Sequence, residues 1–337
     1  MQFEKNKPLV HLNTLAFEHF AEHYVEAQSV DDIAEACEHA QKSNWPLFVL
    51  GGGSNIVLTQ DIRGLVVHPV GTDIDYHTIS GDDSLVTANA GVNWHKLVLN
   101  TLQHGYSGLE NLSLIPGAAG AAPVQNIGAY GIELNQRLVS LRALHLPSGE
   151  WRTFTNDECE FGYRNSLFKR LKGEYAISSI TLKLSKSQTL NTQYTALKQA
   201  IDEARIEKVD AVAISQLVCQ IRSQKLPDPD ILSNVGSFFQ NPVISDTHYQ
   251  TLKADHPNLV AYPQIDGQVK LAAGWLIDTL GYRGKRSGAV GVHEKQALVL
   301  VNFGGGTGEQ LLTLAEDIRQ SVKDKFDVNL RIEPNVM

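Results

Sequence analysis

An excess of positive charge is missing from this 337-residue chain: 29 Lys and Arg stand against 37 Asp and Glu, a net charge of −8. Duplex nucleic acid needs a basic footprint, so it is set aside as a partner, although one pocket can still hold a phosphate. Cysteine is scarce. Cys37, Cys159 and Cys219 are odd in number, lie far apart and form no C-x-x-C pair, which points to a reducing compartment. No apolar run approaches the ~18 residues of a membrane helix, and Met1–Asn6 lack an apolar signal core. These absences predict a soluble, cytoplasmic protein with no membrane partner. With 42% hydrophobic residues the chain can bury a substantial core, and its length suggests two or three domains.

Familiar nucleotide and hydrolase motifs are absent as well. Gly51-Gly52-Gly53 and Gly304-Gly305-Gly306 do not complete G-x-G-x-x-G, because Ile56 and Glu309 stand at the last position. No Walker A loop occurs, since Arg286 follows Gly284-Lys285. Gly236-Ser237-Phe238 is not the G-x-S-x-G of a nucleophile elbow. His19-Phe20-Ala21-Glu22-His23 does match the zinc pattern H-x-x-E-H, which needs a helix to bring both rings to one face. The aromatic and β-branched residues of 17–25 suit an extended segment equally well, and the expectation is no metal.

What is present reads as alternating helices and strands. Ser29 before Asp31-Asp32 is a helix start, with Ile33, Ala36, Cys37 and Ala40 at helical spacing as far as Asn44. Pro46–Leu50 and Gly64–His68 are short apolar strands around a glycine loop. Ser84–Ala88 leads into a helix with Trp94, Leu97, Val98 and Leu102 on one face and Gly105 at its end. Residues 185–225 are polar and mostly helical, and the Lys225–Asp230 break is the best boundary between domains. After a strand at Ala297–Val301, Thr307 and Gln310 predict a capping box. The stripe behind it is Leu311, Leu314, Ala315, Ile318, Val322 and Phe326. A final short strand is expected to carry Glu333.

Two segments suggest a ligand. Gly51, Gly52, Gly53, Ser54 and Asn55 follow an apolar strand, where glycines allow close backbone approach and successive amides can cradle an anion. Alone, a tight turn explains them as well. Residues 114–131 are dominated by Gly and Ala and cannot fill a core, so something else must pack on them. Two such loops could hold the ends of a large dinucleotide. Ser237 beside two phenylalanines is a proton donor in an apolar pocket or a small strand residue. Arg164 and Glu333 pass for surface charges without further context.

Taken in order, seven segments resemble the UDP-N-acetylenolpyruvoylglucosamine reductase family. They are Leu50–Asn55, Ile115-Pro116-Gly117, Gln125–Gly131, Tyr163–Ser166, Gly236–Phe239, Lys270–Ile277 and Glu333-Pro334. The resemblance implies an α+β fold: an FAD-binding region of the vanillyl-alcohol-oxidase/PCMH type in two lobes, plus a C-terminal α+β substrate domain. The expected limits are 14–187 for the FAD-binding region, with lobes 14–72 and 73–187. A helical connection at 188–221, the substrate domain at 222–330 and a closing strand at 331–337 follow. Non-covalent FAD is the implied cofactor, NADPH the co-substrate and a UDP-sugar the substrate, in a monomer. Cofactor contacts are implied at Gly51–Asn55, Pro116, Gly117, Gln125, Asn126, Gly128, Ala129 and Gly131. Ser237, Arg164 and Glu333 take the catalytic roles. Substrate contacts fall to Tyr130, Tyr163, Lys225, Asn241 and Tyr194, the last resembling the substrate-closing tyrosine of the longer subfamily. Asn335 departs from the family, where an acid is common, and the sequence stops four residues after Glu333 where some relatives continue.

Two rival readings use the same segments. One is a flavin oxidase of the same fold, which passes electrons to oxygen. The other is a non-catalytic flavin or nucleotide-sugar binding protein in which Ser237 and Arg164 are structural.

Overall fold

The computed structural model describes residues 1–206, 208–264 and 267–337. In chain order it begins with β1 (Glu4–Pro8), β2 (Phe20–Ala27), α1 (Val30–Lys42), β3 (Leu47–Val49), β4 (Ile56–Val57) and β5 (Ile62–Pro69). Next come β6 (Ile74–Ser80), β7 (Asp83–Asn89), α2 (Trp94–Gln103), β8 (Gly128–Ala129) and β9 (Ile132–Glu133). Then follow β10 (Leu138–His145), β11 (Glu150–Thr155), α3 (Leu167–Arg170), β12 (Tyr175–Ser185), α4 (Thr195–Ala204) and α5 (Ala211–Lys225). The rest holds β13 (Ser233–Ser237), β14 (Val243–Ser245), α6 (Asp246–Asp255), β15 (Ala261–Pro263), β16 (Gln268–Leu271) and α7 (Ala273–Thr279). Last are β17 (Arg286–Ser287), β18 (Val290–Val292), β19 (Val299–Asn302), α8 (Gly308–Phe326) and β20 (Asn335–Val336). The fold is α+β.

The chain divides into two compact units. The first comprises residues 1–7, 20–53 and 62–224, and the second 8–19, 54–61 and 225–337.

In the first unit, one four-stranded sheet runs β1-β2-β5-β3, with β2 and β3 parallel to β5. Its inner strand β5 is buried over Gly64–Val67, as a strand covered on both faces must be. A five-stranded antiparallel sheet runs β11-β10-β12-β7-β6. Along β7 alternate residues Ser84, Val86 and Ala88 turn inward. Helix α1 starts at the Ser29 and Asp32 capping box and buries Ile33, Ala36, Cys37 and Ala40. It stops at Lys42 rather than Asn44, because Asn44 adopts a left-handed φ of 53°. Helix α2 is capped by Asn93 and ends before Gly105 at φ 82°. An apolar cluster joins Leu197 of α4 to Ile214, Leu217, Val218 and Ile221 of α5, with Tyr130 packed against it.

In the second unit β13-β19-β18-β17 and β14-β16-β15 form antiparallel sheets, and β20 pairs parallel with β4. Helix α8 has the Thr307 and Gln310 capping box, and its six-residue stripe from Leu311 to Phe326 is buried.

One open alternative is decided and one expectation changes. The H-x-x-E-H stretch runs into β2, so the helical face a zinc pair needs does not form. Among the described residues no group of three His, Cys, Asp or Glu is placed to hold a metal. Glu333 is not in a strand: it lies between the Phe239–Ile332 bridge and β20. Pro334 has no N–H and interrupts the ladder there. Among the described residues no helix is long and apolar enough to cross a membrane.

Candidate active site

Chemistry-bearing residues gather in each unit. In the first, the glycine run after β3 meets the Gly/Ala segment backbone to backbone. A Cβ on Gly52 would lie 2.8 Å from the Gly117 Cα, and one on Gly51 would lie 3.1 Å from the Ala121 Cβ. Gly120 is pressed on Ala90 in the same way, at 2.5 Å. Glycine at these positions lets the two loops close on each other, and glycine loops of this kind are where successive amides can cradle an anion. The residues present therefore fit a dinucleotide.

The Gly/Ala segment is hung on its neighbours by hydrogen bonds. Trp94 N–H donates to the Gly117 carbonyl at 3.0 Å, and Ala119 N–H to that of Val92 at 2.8 Å. Further on, Asn126 is fully buried at a left-handed φ of 45°. Its amide donates to Glu133 Oε2 at 2.8 Å and to the Gly162 carbonyl at 3.3 Å, while its Oδ1 accepts from Asn135 N–H at 3.0 Å. That side chain is committed to holding the turn. It fixes the loop that carries Tyr163 and Arg164. Arg164 has φ 52°, donates from Nη2 to the Gly128 carbonyl at 3.0 Å, and places its guanidinium 5.4 Å from the Tyr163 ring centre.

Tyr130, at φ 49°, lies edge-on to Tyr194 with ring centres 5.3 Å apart. Asn111 ties the two segments of this corner together, donating to the carbonyls of Tyr130 and Asn191 at 2.9 Å each. Burial pushes the Tyr130 phenol up, with the Arg222 cation opposing that rise. Burial lowers the Arg222 guanidinium, near Tyr130, Cys219 and Arg164.

In the second unit three distant segments are sewn together. Ser237 ends β13 after a bulge, since Asn234 pairs with Val301 but Ser237 with Val299. Gly236 at φ 70° makes the bulge, and Asn234 Oδ1 accepts its N–H at 2.8 Å. A bulge of this kind re-aims the side chain that follows it. Phe238 and Phe239, both buried, follow the half-buried Ser237 in the chain. Glu333 N–H donates to the Phe238 carbonyl at 2.9 Å, so a buried carboxylate residue is tied one residue beyond Ser237. Asn335 N–H then donates to the Asn55 carbonyl at 2.9 Å. Ser54-Asn55, Ser237 and Glu333 thus belong to one hydrogen-bonded corner. Asn241 Oδ1 accepts the Ala273 N–H at 3.0 Å, at the start of α7. It also lines a cavity of about 300 Å³ with Trp275, Asp278, Arg283, Lys295 and Gln296. Lys225 is the exposed last residue of α5.

Two stretches match family models, residues 228–337 that of "UDP-N-acetylenolpyruvoylglucosamine reductase, C-terminal domain" and residues 21–155 that of "FAD binding domain". The UDP-N-acetylenolpyruvoylglucosamine reductase of Pseudomonas fluorescens is 45% identical over 335 residues, 99% of this chain and 99% of its own. The chain belongs to the UDP-N-acetylenolpyruvoylglucosamine reductase family. Its relative from Chromobacterium violaceum is 44% identical over 339 residues, covering 100% of this chain and 99% of its own. The solved reductase of Thermus caldophilus shares the fold, with a TM-score of 0.70 at 22% identity over 100% of this chain and 99% of that one. The sequence alone missed Arg222, His95, Asn111 and Glu133 as builders of this reductase's first-unit corner. Arg222 did leave a signal, three residues before Lys225 and so on the same helical face.

Proposed function

We propose that this chain carries out the NADPH-dependent, FAD-mediated reduction of UDP-N-acetylglucosamine enolpyruvate to UDP-N-acetylmuramate, a step of peptidoglycan precursor synthesis. The observation that carries the reading is the 45% identity to a curated reductase along the whole chain. Geometry adds to it: the glycine floor at Gly51, Gly52 and Gly117 suits a diphosphate. Bound FAD supplies hydride exchange, accepting from NADPH and donating to the terminal carbon of the enolpyruvyl group.

The protein's part is to manage charge. Negative charge develops at the carbon next to the carboxylate and spreads into it, so an anion gains a second charge. Arg164 offsets that charge with a fork of donors, and Glu333 positions or protonates the carboxylate. Ser237 delivers the proton to the carbanionic carbon. A hydroxyl is a weak acid, but a carbanion is a strong base, so the transfer runs downhill. In this reading Gly51–Asn55, Pro116, Gly117, Gln125, Asn126, Gly128, Ala129 and Gly131 hold the cofactor, chiefly through main chain. Tyr130, Tyr163, Tyr194, Lys225 and Asn241 hold the substrate. Residues 14–187 bind FAD and 222–330 the nucleotide sugar, joined by 188–221 and closed by 331–337. The reading places the enzyme in the cytoplasm as a monomer, supporting cell shape and division.

An anaerobic visible spectrum tests it. A yellow protein should bleach with NADPH and regain colour when the enolpyruvyl nucleotide sugar is added. Bleaching reversed only by air would give the protein to the oxidase reading. Bound flavin that NADPH never bleaches would favour the binding protein, and a colourless chain that FAD cannot reconstitute would overturn all three.

A further inference from the structure

Leu114 stands immediately before the Ile115-Pro116-Gly117 turn and has a left-handed φ of 58°. For a residue with a Cβ that conformation is disfavoured by roughly 1–2 kcal/mol, so something must hold it. Both of its main-chain polar groups are gripped by side chains from helices distant in sequence. Its N–H donates to His95 Nδ1 at 3.0 Å, from α2. Its carbonyl accepts from Arg222 Nε at 3.2 Å, from α5. The preceding residue is fixed as well, with Ser113 Oγ 2.7 Å from Ser215 Oγ of α5. Downstream, Gly117 is the residue that abuts Gly52.

We propose that His95 and Arg222 are positioning residues for the flavin. They clamp the Leu114 main chain and so set the Ile115–Gly117 turn against the glycine floor. The inference rests on the FAD reading above.

The clamp has a protonation requirement. Because Leu114 donates, His95 Nδ1 must be a bare acceptor, which puts the ring proton on Nε2, 4.0 Å from Cys219 Sγ. A second proton would set donor against donor and release the turn. The groups facing His95 are Arg222 and the Cys219 thiol, both from α5. Burial, then the Arg222 cation, holds His95 below its usual 6.5, so the ring is neutral near pH 7. Burial keeps Cys219 in its thiol form by pushing it up.

The test is equilibrium release of FAD from the holoprotein on dilution, read by FAD fluorescence from pH 8 to 5, with circular dichroism to exclude unfolding. The native dissociation constant should be flat at high pH and rise toward tenfold per pH unit below the His95 pKa. His95→Asn keeps an acceptor oxygen at the Nδ1 position and cannot titrate, so it should bind within about threefold of native at pH 7.5 and lose the slope. His95→Leu should release FAD at least tenfold more readily at pH 7.5. Arg222→Met should weaken binding and move the inflection to higher pH, since the opposing cation is gone. A native profile that is flat, or a slope that persists in His95→Asn, overturns the clamp while leaving the FAD reading intact. A native chain that binds no FAD overturns both.

Discussion

The capped helices α1 and α8 and the Gly/Ala segment 113–131 are held by opposite means. Each helix is defined within its own residues: a reciprocal cap at Ser29 or Thr307, and an apolar stripe at 3.6-residue spacing buried in a core. The segment packs Ala119, Ala122 and Ile127 into a core, but its turns depend on residues outside it. Leu114, Asn126 and Tyr130 all have left-handed φ, at 58°, 45° and 49°. They are held by His95, Arg222, Asn111, Glu133 and Asn135, which come from before, just after and well beyond it. A segment with several left-handed residues needs outside partners to hold its turns. Its shape is therefore imposed from outside, and perturbing a distant partner should reach the ligand. Perturbing a helix cap should reach stability alone.

The largest expected effect lies in the chemistry. Ser237→Ala should leave reduction of the flavin by NADPH unchanged and slow its reoxidation by substrate by about 10²–10⁴-fold, the contribution of a positioned acid. Stopped-flow absorbance separates the two half-reactions, and normal reoxidation would remove Ser237 from the mechanism. Arg164→Lys should lower turnover by about 10²-fold, because a point charge cannot reproduce the planar fork on a carboxylate. Near-native turnover in that variant would reduce Arg164 to the loop role that its bond to Gly128 already gives it.

Gly52→Ala comes next and bears directly on the comparison. The new methyl group would meet the Gly117 Cα at 2.8 Å, main chain against main chain, with no flexible end to yield. Separation of the two loops should cost about 1–3 kcal/mol of stability and weaken FAD retention. Fluorescence release and a urea midpoint read both. A variant that loses stability yet keeps FAD at native affinity would show that the close approach of Gly52 and Gly117 serves folding alone.

This asymmetry explains what could be read from the residues. The Ser29 and Thr307 starts, the α8 stripe and the inward face of α2 follow from local pattern, and all appear in the fold. The family segments around Gly51, Ser237 and Glu333 were legible because glycine and proline record backbone demands in one dimension. The burial of Glu333 was not, since it follows from pairing with Phe238, 95 positions earlier. His95 was equally hidden, and Arg222 showed only through its spacing from Lys225. A histidine and an arginine on amphipathic helices read as solvated charges until the turn they grip is in place. The bulge at Ser237 left its mark as Gly236, but the Asn234 side chain that completes it carries no signal of its own.

The smallest effect is the sharpest control. Thr307 Oγ1 accepts from Gln310 N–H at 3.2 Å, and Gln310 Oε1 accepts from Thr307 N–H at 3.1 Å. Thr307→Ala deletes one of these bonds and frees the other to drift, which should lower stability by about 1 kcal/mol. The urea midpoint should fall with no change in the slope of the transition, as stability changes while the exposed surface does not. FAD release and both half-reactions should stay native, because α8 keeps its buried stripe. If this exposed cap variant also loosened FAD, the shape of the glycine floor would depend on global stability rather than on the side chains that hold it, and the contrast between helix and segment would fail.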